Sequence, residues 1–231
     1  MLLKQKRAQV ALDYLVIVGV ALSLIVVVVG VLVGYSNSLS VAFGQDTLST
    51  AASTIAGQAN YVYSLAPGSM STAKINFPTM DFPGSHFCGK ELILSHGGSF
   101  YVAQADTNIS GLLPTTPGLN DVLVRSVEIN GTDNIQVGLD RALSFVGFNY
   151  TLSGNTLNYT VNFYNYTGSI IKSQQFFKIS IYSSSGVLMN STVESANSGT
   201  YSGSFLLVNP QNASALFIAP TGSSSIFSTC I

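Results

Sequence analysis

Few residues in this sequence have the type and spacing to do chemistry. Asp13 is the first, a single carboxylate at the head of an apolar run that begins at Leu15. Cys88 and Cys230 form an even pair beyond that run, and in an exported chain such a pair reads first as a disulfide, with two buried free thiols as the alternative. Seven Asn-x-Ser/Thr triplets, at Asn108, Asn130, Asn149, Asn158, Asn165, Asn190 and Asn212, carry the acceptor pattern for N-glycosylation. Composition alone would produce roughly three of them in a chain this rich in Asn, Ser and Thr, so the excess points to a glycosylated surface. His86, Cys88 and His96 lie in one short segment, but their irregular spacing matches no zinc pattern and Cys88 is a disulfide candidate. No metal site and no cofactor are expected.

Catalysis finds no footing either. There is no nucleophile elbow, no phosphate-binding glycine loop and no pair of carboxylates at matching spacing. Serine is so abundant that Ser/His/Asp combinations can be drawn anywhere, and they mean nothing without geometry. The chain reads as a non-enzyme. Charged residues are 8% of the 231, far below the ~25% of ordinary soluble domains, and neutral Ser, Thr, Asn and Gly take their place. The formal net charge is −1, yet three of the nine basic residues, Lys4, Lys6 and Arg7, fall within the first eight positions. Beyond them no basic patch is left to hold nucleic acid.

The element that must position Asp13 is the run from Leu15 to Val33, which has no charged residue. At about 1.5 Å of helical rise per residue it spans roughly 28 Å, close to the ~30 Å hydrocarbon core of a bilayer. The basic cluster before it and the lack of one just after it favour a cytoplasmic N-terminus. An ionised carboxylate near the membrane boundary is costly without a partner. Gly30 and Gly34 form a GxxxG pattern, and with Gly19 they are small positions at which helices could approach closely.

The residues Arg7-Ala8-Gln9-Val10-Ala11-Leu12-Asp13-Tyr14-Leu15 resemble the archaeal class III signal peptide, a type IV pilin leader. The resemblance implies a prepilin-type peptidase that cuts between Ala8 and Gln9 and leaves the apolar helix on the mature chain. Asp13 then becomes the fifth mature residue, where such proteins usually carry Glu, and its carboxylate can meet the new α-ammonium of Gln9 or that of a neighbouring subunit. Opposite charges attract more strongly in a low-dielectric bundle than in water. Ala11 stands where Ser is frequent. An uncleaved anchor ranks second. A conventional secretory signal, cut near Ser40-Val41-Ala42, ranks third because the apolar run exceeds the usual length.

The rest of the chain divides by period. Leu48, Ala52, Ile55, Ala59 and Val62 recur at helical spacing, so a helix over 9–66 is expected, its membrane part about 15–33, ended by Pro67-Gly68. Residues 67–139 alternate imperfectly, with Val122, Val124, Ser126 and Glu128 set against Leu123, Arg125, Val127 and Ile129, and read as a small β region. Residues 140–231 alternate more cleanly, as in Leu157, Tyr159, Val161 and Phe163, and suit an antiparallel sandwich, immunoglobulin-like in type. The expected class is α+β. The resemblance implies a structural subunit of a surface filament, made of identical or related pilin subunits packed through the helix, resident in the membrane before assembly. The competing reading is a monomeric membrane-anchored surface glycoprotein whose β domain binds a sugar or a protein.

Overall fold

A computed structural model describes residues 2–129, 132–140, 143–222 and 224–231; side chains are described from residue 16 onward, except in 37–43 and 129–132 and at the omitted positions. The chain forms two compact units, Met1–Phe43 and Gly44–Ile231. The helix α1 runs Leu2–Leu65. In the first unit every side chain from Val16 to Val33 is exposed. The stretch Val16–Ser36 is long and apolar enough to cross a membrane, a little beyond the expected 15–33.

In the second unit α1 becomes amphipathic. Leu48, Ala51, Ala52, Ile55, Ala56, Ala59 and Val62 are buried, one stripe at three- and four-residue spacing that takes in every apolar residue expected to face a core. These residues join the strands in one hydrophobic core. On its outer side the hydroxyls bond back within the helix, Ser53 Oγ to the Ser49 carbonyl and Thr54 Oγ1 to the Thr50 carbonyl. Pro67 cannot extend the helix, and Gly68, at φ 88°, carries the turn into the first strand.

Fourteen strands follow among the described residues. The first seven are β1 (Met70–Phe77), β2 (His86–Cys88), β3 (Glu91–His96), β4 (Ser99–Gln104), β5 (Ile109–Pro114), β6 (Gly118–Ile129) and β7 (Thr132–Leu139). The rest are β8 (Phe145–Ser153), β9 (Thr156–Tyr164), β10 (Gln175–Ser183), β11 (Leu188–Ala196), β12 (Thr200–Leu206), β13 (Ala213–Pro220) and β14 (Ser225–Cys230). They make an eight-stranded sheet, β1-β6-β7-β5-β14-β13-β10-β11, and two three-stranded sheets, β12-β9-β8 and β2-β3-β4. Pairing is antiparallel except between β5 and β7. The fold is mostly β, with antiparallel sheets behind an N-terminal apolar helix.

The sequence places a division near residue 140, but strand pairing runs through it. Ile226 lies opposite Leu113 and Phe227 opposite Leu112, so β14 completes a sheet begun by β5. Alternation reports only which face a strand buries, whereas pairing depends on partners more than a hundred residues away. The β12-β9-β8 sheet lays one face on the large sheet through aromatic contacts: Phe163 with Phe177 at 5.2 Å between ring centroids, Tyr201 with Phe177 at 5.5 Å and Phe148 with Phe227 at 6.2 Å. Burying a Phe of this kind contributes about 1.5–3 kcal/mol, so these rings anchor the small sheet.

Candidate functional site

Arg7, Ala8, Gln9 and Asp13, the residues of the expected leader cleavage and assembly contact, lie outside the residues whose side chains are described. Gly19, Gly30 and Gly34 sit on the exposed apolar stretch, and a methyl group added at any of them would meet nothing within 4 Å.

Cys88 and Cys230 are joined in a disulfide that closes a loop of 142 residues, their Cα atoms 4.8 Å apart. Beside it the Phe87 amide donates to Ser228 Oγ at 3.2 Å, so β2 is tied to β14 by a covalent and a polar link. The two histidines go separate ways. His86 Nδ1 lies 3.3 Å from the Pro83 carbonyl and its ring meets Phe217 edge-on. Burial lowers its pKa, with the carbonyl contacts acting in the opposite sense. His96 Nδ1 lies 2.6 Å from the Thr79 carbonyl, and its ring packs over Gly44, where a Cβ would come within 2.6 Å of it.

The outward face of the β12-β9-β8 sheet is an array of small polar side chains. Period-two alternation in each strand puts Asn149 and Thr151, Asn158 and Thr160, and Ser202 and Ser204 on this one face. Register then aligns them in rows, Asn149 opposite Thr160 opposite Ser202, and Thr151 opposite Asn158 opposite Ser204. Thr160 and Ser202 share a hydroxyl–hydroxyl bond of 3.0 Å, and Thr200 donates to Asn162 at 3.0 Å. Asn149, Thr151, Asn158, Thr160, Ser202 and Ser204 line a shallow concavity of about 670 Å³.

The sequons are not equivalent. Asn108, Asn149, Asn158 and Asn212 are exposed. Asn165 Oδ1 accepts from the Thr167 and Ser169 amides and from Thr167 Oγ1, building its own turn. Asn190 is half-buried, its Nδ2 pointing at the Leu206 carbonyl at 3.5 Å. Asn130 lies outside the described residues.

Sequence reasoning passed over two groups. Tyr159, Tyr201 and Glu194 form a side-chain hydrogen-bonded chain, with Thr192 Oγ1 also donating to Glu194 at 2.9 Å. Burial, and then the negative partners, push both phenols up. The other group centres on Arg125. Its Nε and Nη2 donate to Gln136 Oε1 at 2.9 and 2.6 Å, and its guanidinium carbon stands 4.2 Å from the centre of the Phe145 ring and 5.0 Å from that of Tyr164. Burial lowers its pKa, which Tyr164 partly counters. The available signal was a lone cation among Leu123, Val127 and Ile129 on one face of a strand.

No protein-family model matches the chain, and no curated protein sequence matches it. Among solved structures it is similar to the crystal structure of a DUF3823 family protein from Bacteroides ovatus, at 9% identity and a TM-score of 0.32, over 71% of this chain and 97% of that one.

Proposed function

We propose that the chain is a structural subunit of an archaeal type IV pilus-like surface filament, assembled through its N-terminal helix and displaying the β unit on the outside. The observation that carries this reading is the stretch Val16–Ser36, an uninterrupted apolar surface exposed on every side. A surface of that size calls for lipid or for copies of itself. The leader-like residues before it, and Asp13 in particular, favour copies. In this reading a prepilin-type peptidase releases residues 1–8, Asp13 pairs with the freed amine of Gln9, and the β strands, arranged as an immunoglobulin-like sandwich, carry glycans and make adhesive contacts. Mass spectrometry of the native protein together with electron microscopy of surface fractions is the test. A mature chain beginning at Gln9 and antibody-labelled filaments are expected; residues 1–8 still attached, on protein that forms no filaments, would leave an anchored monomer instead.

A second reading rests on a separate observation. The hydroxyl and amide array of the β12-β9-β8 face offers donors and acceptors at regular spacing over a shallow surface, which suits a sugar. A surface glycoprotein that binds saccharides would use this face whether or not it polymerises.

A further inference from the structure

Arg125 poses an electrostatic problem that the fold does not solve. It is half-buried, on β6 beside β7, and the one ion pair among the described residues joins Lys74 to Asp121, elsewhere on the same sheet. Of the five N–H donors of a guanidinium, two go to Gln136 Oε1 and the rest have no acceptor among the described residues. Phe145 and Tyr164 hold the cation in place through their ring faces. This support fixes the guanidinium's orientation without neutralising it. A partly desolvated cation so held favours an anion that can approach its free edge.

The surroundings say what sort of anion. Arg125 lines a cleft of about 260 Å³ with Gln136, Gly147, Phe148, Asn149, Asn162 and Tyr164 among its walls. That volume suits a single sugar ring. A Cβ at Gly147 would press on the Tyr164 ring at 2.9 Å, and one at Gly168 would strike Arg125 Nη1, so both glycines are needed for the ring and the guanidinium to sit where they do. Asn149 and Asn162 present amides, the groups that bind sugar hydroxyls, and Tyr164 presents a ring against which a pyranose face can lie. Asn149 also borders the polar concavity of the outer face, so the two surfaces are continuous.

We infer that the Arg125 cleft is a binding subsite for the carboxylate of an acidic sugar, with Arg125 taking the carboxylate in a bidentate pair and Asn149 and Asn162 taking ring hydroxyls. Glu128 also lines the cleft and forms no ion pair with Arg125; its charge weakens the binding of any anion there, so affinity for a lone monosaccharide is expected in the millimolar range. The subsite deepens the saccharide-binding reading and does not depend on filament assembly. Because Asn149 begins an N-glycosylation sequon, the acidic sugar has two candidate sources, a glycan carried by the protein or a saccharide from outside.

The test titrates the full chain, in detergent and made without glycans, with glucuronate, glucuronamide and glucose, following the amide NMR signals of Gly147 and Gly168. Glucuronate is expected to shift them, and its neutral amide and glucose to bind at least about tenfold more weakly. Arg125→Gln should abolish the glucuronate shifts while leaving the melting temperature and the remaining spectrum close to wild type. Equal binding of glucuronate and glucuronamide, or no response to millimolar glucuronate, overturns the inference, and that comparison needs no variant. Native glycosylated chain separates the sources: response only after glycan removal assigns the cleft to the protein's own glycan, and response before removal assigns it to an external saccharide. Neither outcome bears on the mass of the mature N-terminus, so this subsite and the filament reading fail independently.

Discussion

Asn149 and Asn158 stand diagonally across the β8–β9 pair, each directly opposite the threonine of the other's sequon, with Asn149 facing Thr160 and Asn158 facing Thr151. Diagonal neighbours on one sheet face lie about 7–8 Å apart, less than two branched glycans need side by side. One glycan per chain at this pair is therefore expected. Site-resolved mass spectrometry of the tryptic fragment that holds both asparagines, together with Asn165, checks it, and Asn149→Gln should raise occupancy at Asn158. Fragments carrying glycans at both positions would show that the two coexist. Asn190, half-buried with its amide nitrogen directed at a backbone carbonyl, should be unmodified.

The disulfide closes a loop of 142 residues, long enough for chain entropy to matter. Cys230→Ser is expected to cost about 2–5 kcal/mol, read as a lower urea midpoint for the β unit. Reduction of wild type should reproduce the effect. Because Phe87 and Ser228 still link β2 to β14, the variant should fold.

How much of this was legible in the sequence depends on the range of the interaction. The helical stripe from Leu48 to Val62 is local, and every position its period picked out is buried, though Ala51 and Ala56 are buried as well. β9 and β10 alternate because one face of each meets the core, so Phe163 and Phe177 could be read as inward. β13 could not be read this way: Leu216, Phe217 and Ile218 are all buried, so no alternation shows. Nor does any local pattern reveal that β14 completes the sheet of β5. Among site residues, Cys88 and Cys230 were legible because they are the only two cysteines in the sequence. The Arg125 cleft was not, since Gln136, Phe145, Asn149 and Tyr164 reach it from three strands.

Gly111 carries a packing constraint that no local pattern reveals. It is buried in β5 opposite Val137, in the parallel pair with β7. A Cβ there would strike the Val137 carbonyl oxygen, and its Cβ at 2.7 Å. Backbone on both sides cannot move aside as a flexible side chain would. Gly111→Ala is expected to cost about 1–3 kcal/mol, seen as a lower urea midpoint at unchanged slope. A neutral result would mean that β5 and β7 are not so closely paired.

The Tyr159–Tyr201–Glu194 chain predicts an alkaline limit. In the unfolded chain a phenol titrates near pH 10, and in the folded protein burial holds Tyr159 and Tyr201 higher. Below about pH 10 both states keep the proton and the contribution is complete. As pH rises further the unfolded chain releases protons that the folded chain retains, so stability falls. Melting temperature should be level from about pH 7 to 9 and decline above about 10. Tyr159→Phe should make the decline shallower, and an unchanged slope would remove Tyr159 as a cause.

The apolar helix gives a prediction that separates folding from assembly. A methyl at Gly19, Gly30 or Gly34 meets nothing within the single chain, and replacing glycine slightly favours helix. Substitution should therefore leave the β unit's melting temperature unchanged. In a bundle of such helices small positions set how closely two backbones approach, so a bulky side chain there would force neighbours apart. Gly30→Leu and Gly34→Leu are expected to give chains that are processed and folded but form few filaments or none, as seen by electron microscopy of surface fractions. Filaments of normal number and length from both variants would mean that these glycines do not lie at subunit contacts. Loss of the protein from the membrane altogether would point to a defect in insertion, which quantifying the membrane fraction distinguishes from a defect in assembly.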